Sequence, residues 1–227
     1  MKKLLNSFSL FEWSMVGGMT LITLYFAIVG LQAGDGLSYT LLSALAGITG
    51  VVCVVLVAKG KISNYIWGIA NAVAYAAIAW QARYWGEVML NVLYYLPMQF
   101  VGIYFWTRKL NKAEGTVQSK VMTLPQLALM SVLVAAVVYG YSLLLAYLGG
   151  EQPLLDSMST VLSVVAMILM VARYAEQWLL WIVVNVVSVA LWLIAGDMIM
   201  VAMWGIYLIN AIYGWIIWKR GSKIQGA

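Results

Sequence analysis

Histidine is absent from the 227 residues, and cysteine occurs once, as Cys53. The first absence removes the commonest general base, metal ligand and proton relay together. With no paired acids at one depth either, the chain is not expected to be an enzyme or to hold a metal or cofactor. The lone Cys53, set in VVCVVLV, closes no disulfide within the chain and reads as a small apolar residue. Proline occurs three times, and charged residues make up only 9%. What is there instead is apolar: hydrophobic residues are 64% and mean hydropathy is +0.93. No soluble domain hides that much apolar surface, so the expected class is an all-α polytopic membrane protein. A membrane barrel is excluded because the apolar runs are ~20 residues long and do not alternate. The N-terminal MKKLLNSFSLFEWS is basic but leads into a segment long enough to span, without a small-residue cleavage site, so no cleavable signal is expected.

Eight apolar spans are predicted, at residues 14–33, 39–58, 62–82, 87–107, 122–148, 154–172, 176–195 and 197–218. Most are separated by short breaks, and the one longer connector is TRKLNKAEGTVQSK, residues 107–120. With the N-terminus inside, the inner segments carry Lys2, Lys3, Lys59, Lys61, Arg108, Lys109, Lys112, Lys120, Arg173, Lys219, Arg220 and Lys223. That is 12 of the 13 basic residues, leaving Arg83 outside with Asp35, Glu87, Glu151, Asp156 and Asp197. The split predicts both termini in the cytoplasm. It also explains the net charge of +5 through topology, without a nucleic-acid partner.

The chain echoes itself. Trp67-x3-Asn71 is answered by Trp181-x3-Asn185, 114 positions on, and Gly102-x3-Trp106-x-Arg108 by Gly214-x3-Trp218-x-Arg220, 112 positions on. Gly86-Glu87 matches Gly196-Asp197, and Tyr94 matches Trp204, each 110 apart. Spans two to four therefore align with spans six to eight. Span five restores the direction of the chain, so that the copies are parallel. The predicted organisation is 3+1+3 with one peripheral N-terminal span. Residues 1–37 form the N-terminal segment, 38–110 the first repeat, 111–150 the linker and inversion helix, 151–220 the second repeat, and 221–227 a cytoplasmic tail.

Helical spacing collects the polar residues into stripes. They are Asn64, Trp67, Asn71, Tyr75 on span three; Glu87, Asn91, Tyr95, Gln99, Gly102, Trp106 on span four; Gln177, Trp181, Asn185, Ser188, Trp192 on span seven; and Trp204, Tyr207, Asn210 or Ala211, Gly214, Trp218 on span eight. Amides in a bilayer face the bundle interior, where they either bind a polar ligand or join helices. The duplicated Asn71/Asn185 pair favours a central site. Trp85, Trp106, Trp178 and Trp218 lie near span ends, where the default is an interfacial aromatic belt. Pro97 should kink span four, freeing the carbonyl of Leu93. The small residues Ser43, Gly47 and Gly50 suit close helix packing. Without a buried acid or histidine, uniport is the simpler expectation.

The runs WGIANAVAYAAIAWQARYW, GEVMLNVLYYLPMQFVGIYFW and WIVVNVVSVALWLIAGDMIMVAMWGIYLINAIYGWIIW resemble the PnuC vitamin transporters, relatives in architecture of the SWEET sugar carriers. The resemblance covers residues 39 to 220, with the first span outside it. It implies facilitated diffusion of nicotinamide riboside across the bacterial inner membrane. Phosphorylation by a cytoplasmic riboside kinase would then trap the substrate for NAD biosynthesis. It also makes a homo-oligomer, a trimer, an expectation, and it places the site between the repeats. Trp67, Asn71, Asn91, Tyr95 and Gln99 would line it from the first copy, and Trp181, Asn185, Trp204, Tyr207 and Asn210 from the second. Related members carry thiamine or riboflavin, so another vitamin, or a sugar, stays open as substrate. A purely structural or channel-forming bundle is the reading from a different class.

Overall fold

The computed structural model describes residues 8–34, 36–81, 88–149, 152–195 and 198–223. These residues form eight α-helices: α1 (Leu10–Ala33), α2 (Leu37–Ala58), α3 (Asn64–Gln81), α4 (Leu96–Thr107), α5 (Leu124–Tyr147), α6 (Pro153–Val171), α7 (Gln177–Ala195) and α8 (Met198–Lys223). A π-helical turn, Leu90–Tyr95, leads into α4, and a short hairpin pairs β1 (Leu110–Asn111) with β2 (Thr116–Val117). By length and hydropathy five helical stretches can cross a membrane: Leu10–Gln32, Leu37–Ala58, Leu124–Tyr147, Pro153–Val171 and Val201–Ser222; Gln177–Ala190 is a shorter apolar stretch. The protein is thus a multi-pass helical membrane protein. The chain divides into two compact units, Met1–Val57 with Lys61–Thr107, and Ala58–Gly60 with Arg108–Ala227.

In the first unit α1 starts at Leu10 rather than at residue 14, because Ser9 and Glu12 form a capping box. The Ser9 N–H donates to Glu12 Oε2 at 2.6 Å and the Glu12 N–H to Ser9 Oγ at 3.3 Å. Two donors that a helix start leaves orphaned are thereby satisfied. The helix ends at Gly34, whose φ of 96° is accessible without the steric cost a side chain would bring. Helix α2 receives α1 at Gly47, where an added Cβ would stand 2.9 Å from Met19 Cε and 3.2 Å from Thr23 Oγ1. At this member of the small-residue stripe, close packing is what the structure shows.

Span four, where a kink at Pro97 was expected, is interrupted by a π-helical turn just before the proline. Pro97 has no N–H, and its ring excludes the carbonyl four residues back. The chain answers with the π-helical turn, in which the Leu96 N–H donates to the Asn91 carbonyl five residues earlier. The i, i+4 stripe drawn through Asn91 and Tyr95 therefore does not continue with α-helical register into α4.

In the second unit α5 packs on α6, α6 on α7 and α7 on α8. Ser157 Oγ ties α6 to α5 by donating to the Val138 carbonyl at 2.6 Å. The 107–120 connector is an ordered strap. The Val117 N–H donates to the Gly60 carbonyl at 2.9 Å, Lys120 N–H to Arg173 O at 2.9 Å, and Ala175 N–H to Lys120 O at 2.8 Å. Ser119 Oγ reaches the Trp218 carbonyl at 2.8 Å, and the Met122 N–H meets Glu176 Oε1 at 3.0 Å. Gly60 sits at φ 62° with the Val117 carbonyl against it, a place where a side chain has neither the conformation nor the room.

Candidate functional site

Helix α3 positions Trp67 and Asn71, both half-buried. Asn71 Nδ2 donates to the Ala46 carbonyl of α2 at 2.7 Å, so part of this amide joins two helices. Asn91 and Gln99 are buried, while Tyr95 is half-buried with its ring against Tyr94 at a centroid distance of 5.4 Å. Gln99 Nε2 donates to the Tyr95 carbonyl at 3.2 Å, leaving the buried Oε1 without a partner. That oxygen lies over Gly68 of α3, where a Cβ would run into it. The first unit thus brings an acceptor oxygen of α4 onto the α3 helix, one residue beyond Trp67.

Helix α7 carries Trp181, half-buried, and Asn185 and Ser188, both buried. On α8, Trp204 and Tyr207 pack edge to face with centroids 5.6 Å apart, and Asn210 is 1% exposed. The Trp204 Nε1 donor is buried without a hydrogen-bond partner. Trp192 lies on α7 as expected. Of the outer acids only Asp156 is described, exposed in the first turn of α6. Asp35, Glu87, Glu151, Asp197 and Arg83, the Gly86-Glu87 and Gly196-Asp197 correspondence, and Trp85 lie outside the described residues.

The belt reading of three tryptophans is overturned. Trp106, Trp178 and Trp218 are 0%, 3% and 3% exposed. In the first unit Tyr65 and Trp106 pack edge to face at 5.0 Å, and Tyr65 fills the notch at Gly102. In the second, Trp178 and Trp218 do the same at 5.9 Å, with Trp178 in the notch at Gly214. Each Gly-x3-Trp motif is therefore a socket: the glycine admits a ring from the preceding helix, and the tryptophan one turn on caps it. Trp218 Nε1 also donates to the Ala58 carbonyl at 3.0 Å, so its polar edge is satisfied inside the protein. Tyr65 was not anticipated, since only its approach to Gly102 reveals the role.

Two further groups escaped the sequence reading as site candidates. Glu176, just before α7, is 5% exposed, a buried acid where none was expected, and Gln177, drawn on the α7 stripe but not among the lining residues, is 0% exposed. A hollow of about 400 Å³, lined by Val134, Val138, Tyr139, Met158 and Leu180 among others, is apolar and contains none of the predicted site residues.

A family model described as "Nicotinamide mononucleotide transporter" matches residues 40–220. The chain belongs to this family, the PnuC transporters. It is 40% identical to the nicotinamide riboside transporter PnuC of Neisseria mucosa over 195 residues, covering 80% of this chain and 73% of the relative. It is 37% identical to the Haemophilus influenzae protein of the same name, covering 80% of each. The fold matches a crystal structure titled as the vitamin B3 transporter PnuC, with a TM-score of 0.78 and 35% identity over 96% of this chain and 94% of that one. PnuC is a family of transporters and not of enzymes, and membership of it accounts for the apolar helices.

Proposed function

We propose that the chain is a facilitative carrier of nicotinamide riboside. The observation that carries this reading is the chemistry of the stripes: aromatic rings and buried amides in both units, with no lysine or arginine inside the predicted spans. Nicotinamide riboside bears an aromatic cation, which the faces of Trp67, Trp181, Trp204 and Tyr207 attract through the ring quadrupole, worth ~2 kcal/mol when desolvated. Its carboxamide and ribose hydroxyls both donate and accept, as do Asn71, Asn91, Gln99, Asn185 and Asn210. The relatives named as nicotinamide riboside transporters support the same substrate.

The mononucleotide is the competing substrate, because the family description names it. A phosphate dianion needs cationic or clustered N–H partners when it leaves water. No lysine or arginine lies on the stripes, whose polar members are amides, tyrosines, tryptophans, Ser188 and the acid Glu87. Calorimetry on the purified protein with nicotinamide riboside, its mononucleotide, thiamine and riboflavin is expected to show riboside binding and no measurable mononucleotide binding. Tight mononucleotide binding would overturn the charge argument.

We also infer eight spans in a 3+1+3 parallel-repeat arrangement, with both termini in the cytoplasm of the inner membrane. The placement of 12 of 13 basic residues supports this. Transport then runs down the gradient, and phosphorylation by a cytoplasmic riboside kinase retains the product. A homo-oligomer, a trimer, is part of the same proposal. Uptake into kinase-free liposomes is expected to survive an uncoupler.

A further inference from the structure

Gln177 is the first residue of α7, is fully buried, and has neither its amide nitrogen nor its amide oxygen hydrogen-bonded. Leaving such atoms unpaired away from water forfeits the hydrogen bonds they make in the unfolded chain. Two residues beside it use their polar groups differently. Glu176 spends one carboxylate oxygen on the Met122 N–H at 3.0 Å, and Trp178 sits in the Gly214 notch. Neighbours in sequence point about 100° apart around a helix, so neither shares the face of Gln177. The residues that do share it are Trp181 and Asn185, one and two turns on. The unpaired amide therefore continues the stripe already assigned to substrate.

We propose that Gln177 reads the carboxamide of the substrate. A primary carboxamide presents N–H donors beside a carbonyl acceptor, and Gln177 offers the reverse pair, Oε1 to accept and Nε2 to donate. Two antiparallel hydrogen bonds join such groups. One helical turn, ~5.4 Å, separates Gln177 from Trp181. That reach suits a ligand whose pyridinium ring lies against the indole while its carboxamide extends toward the start of the helix. The amide is a specificity device as well. A buried group built to hydrogen-bond a ligand rejects an analogue lacking the partner, because its own donor and acceptor are then left unpaired.

The inference rests on the nicotinamide riboside reading and is tested separately from it. Calorimetry would compare nicotinamide riboside with the pyridinium riboside lacking the carboxamide, on wild type and on Gln177→Met. Wild type is expected to prefer the carboxamide-bearing ligand by about tenfold or more, the equivalent of ~1.4 kcal/mol. Gln177→Met is expected to bring that ligand down to the affinity of the analogue while leaving the analogue unchanged. Equal weakening of both ligands, or no change in either, overturns the proposal. Should Gln177→Met not fold, Gln177→Glu keeps an acceptor and removes the donor, and retention of the wild-type preference there overturns it too. Wild type that binds both ligands equally defeats the role of Gln177 alone; wild type that binds neither defeats the substrate reading itself.

Discussion

Asn185→Leu is expected to weaken nicotinamide riboside binding by about a hundredfold while the protein stays folded. Asn185 is 3% exposed and stands on the α7 stripe with Trp181 and Ser188. Replacing a buried amide by an apolar side chain of similar size removes hydrogen bonds to the ligand and leaves the ligand's own polar groups unpaired. Two such losses come to ~2.7 kcal/mol, which is about a hundredfold in affinity. Titration calorimetry reads the affinity, and a thermal melt of the purified protein reads folding. Asn71→Leu, the counterpart, should behave differently. It also removes the 2.7 Å bond to the Ala46 carbonyl, so stability should fall by ~1 kcal/mol alongside binding. Unchanged affinity in both variants would return these amides to a purely helix-joining role.

The second large effect concerns the glycine sockets. Gly102→Ala and Gly214→Ala should each destabilise their own unit, although alanine is the better helix former by ~1 kcal/mol. At Gly102 the new methyl would overlap the Tyr65 ring, which is fully buried and held edge-on by Trp106. At Gly214 it would stand 2.5 Å from Trp178 Cε2, with Trp218 behind. Overpacking of this kind costs ~1–3 kcal/mol, and a ring wedged between two helices has nowhere to retreat. A thermal melt should show a drop of several degrees for each variant. Combining Gly102→Ala with Tyr65→Ala, or Gly214→Ala with Trp178→Ala, removes the obstacle. In those backgrounds the glycine substitution should become neutral or stabilising. If it remains as costly there, the socket is not the reason for the glycine.

Much of this architecture was legible before any coordinates. The stripe of α7 could be drawn because Gln177, Trp181, Asn185 and Ser188 differ in polarity from everything around them, and helical spacing places them on one face. The start of α1 was missed although its signal was present, since Ser9-Leu-Phe-Glu12 is the pattern of a capping box. Pro97 announced an irregularity, but whether the helix would kink or widen into a π-helical turn depends on what packs around it. The 107–120 segment read only as the longest connector, because the partners that order it, Gly60, Arg173 and Trp218, lie far away in the chain.

The sequence by itself determined that this is a polytopic helical membrane protein carrying a duplicated Trp–Asn motif. Burying an apolar helix in lipid is favoured by the composition of about twenty consecutive residues, whatever surrounds them. Tertiary structure alone decided the fate of individual polar and aromatic groups. Trp106 and Trp218 became core residues because Tyr65 and Trp178, from the preceding helices, enter the notches left by Gly102 and Gly214; the motif marks the notch, but only folding brings the ring that fills it. Asn71 was partly committed to α2 because the Ala46 carbonyl came within reach, and Gln177 was left unpaired because no donor or acceptor did. Desolvation is read from the chain locally, whereas the satisfaction of a polar group depends on a neighbour that only folding supplies.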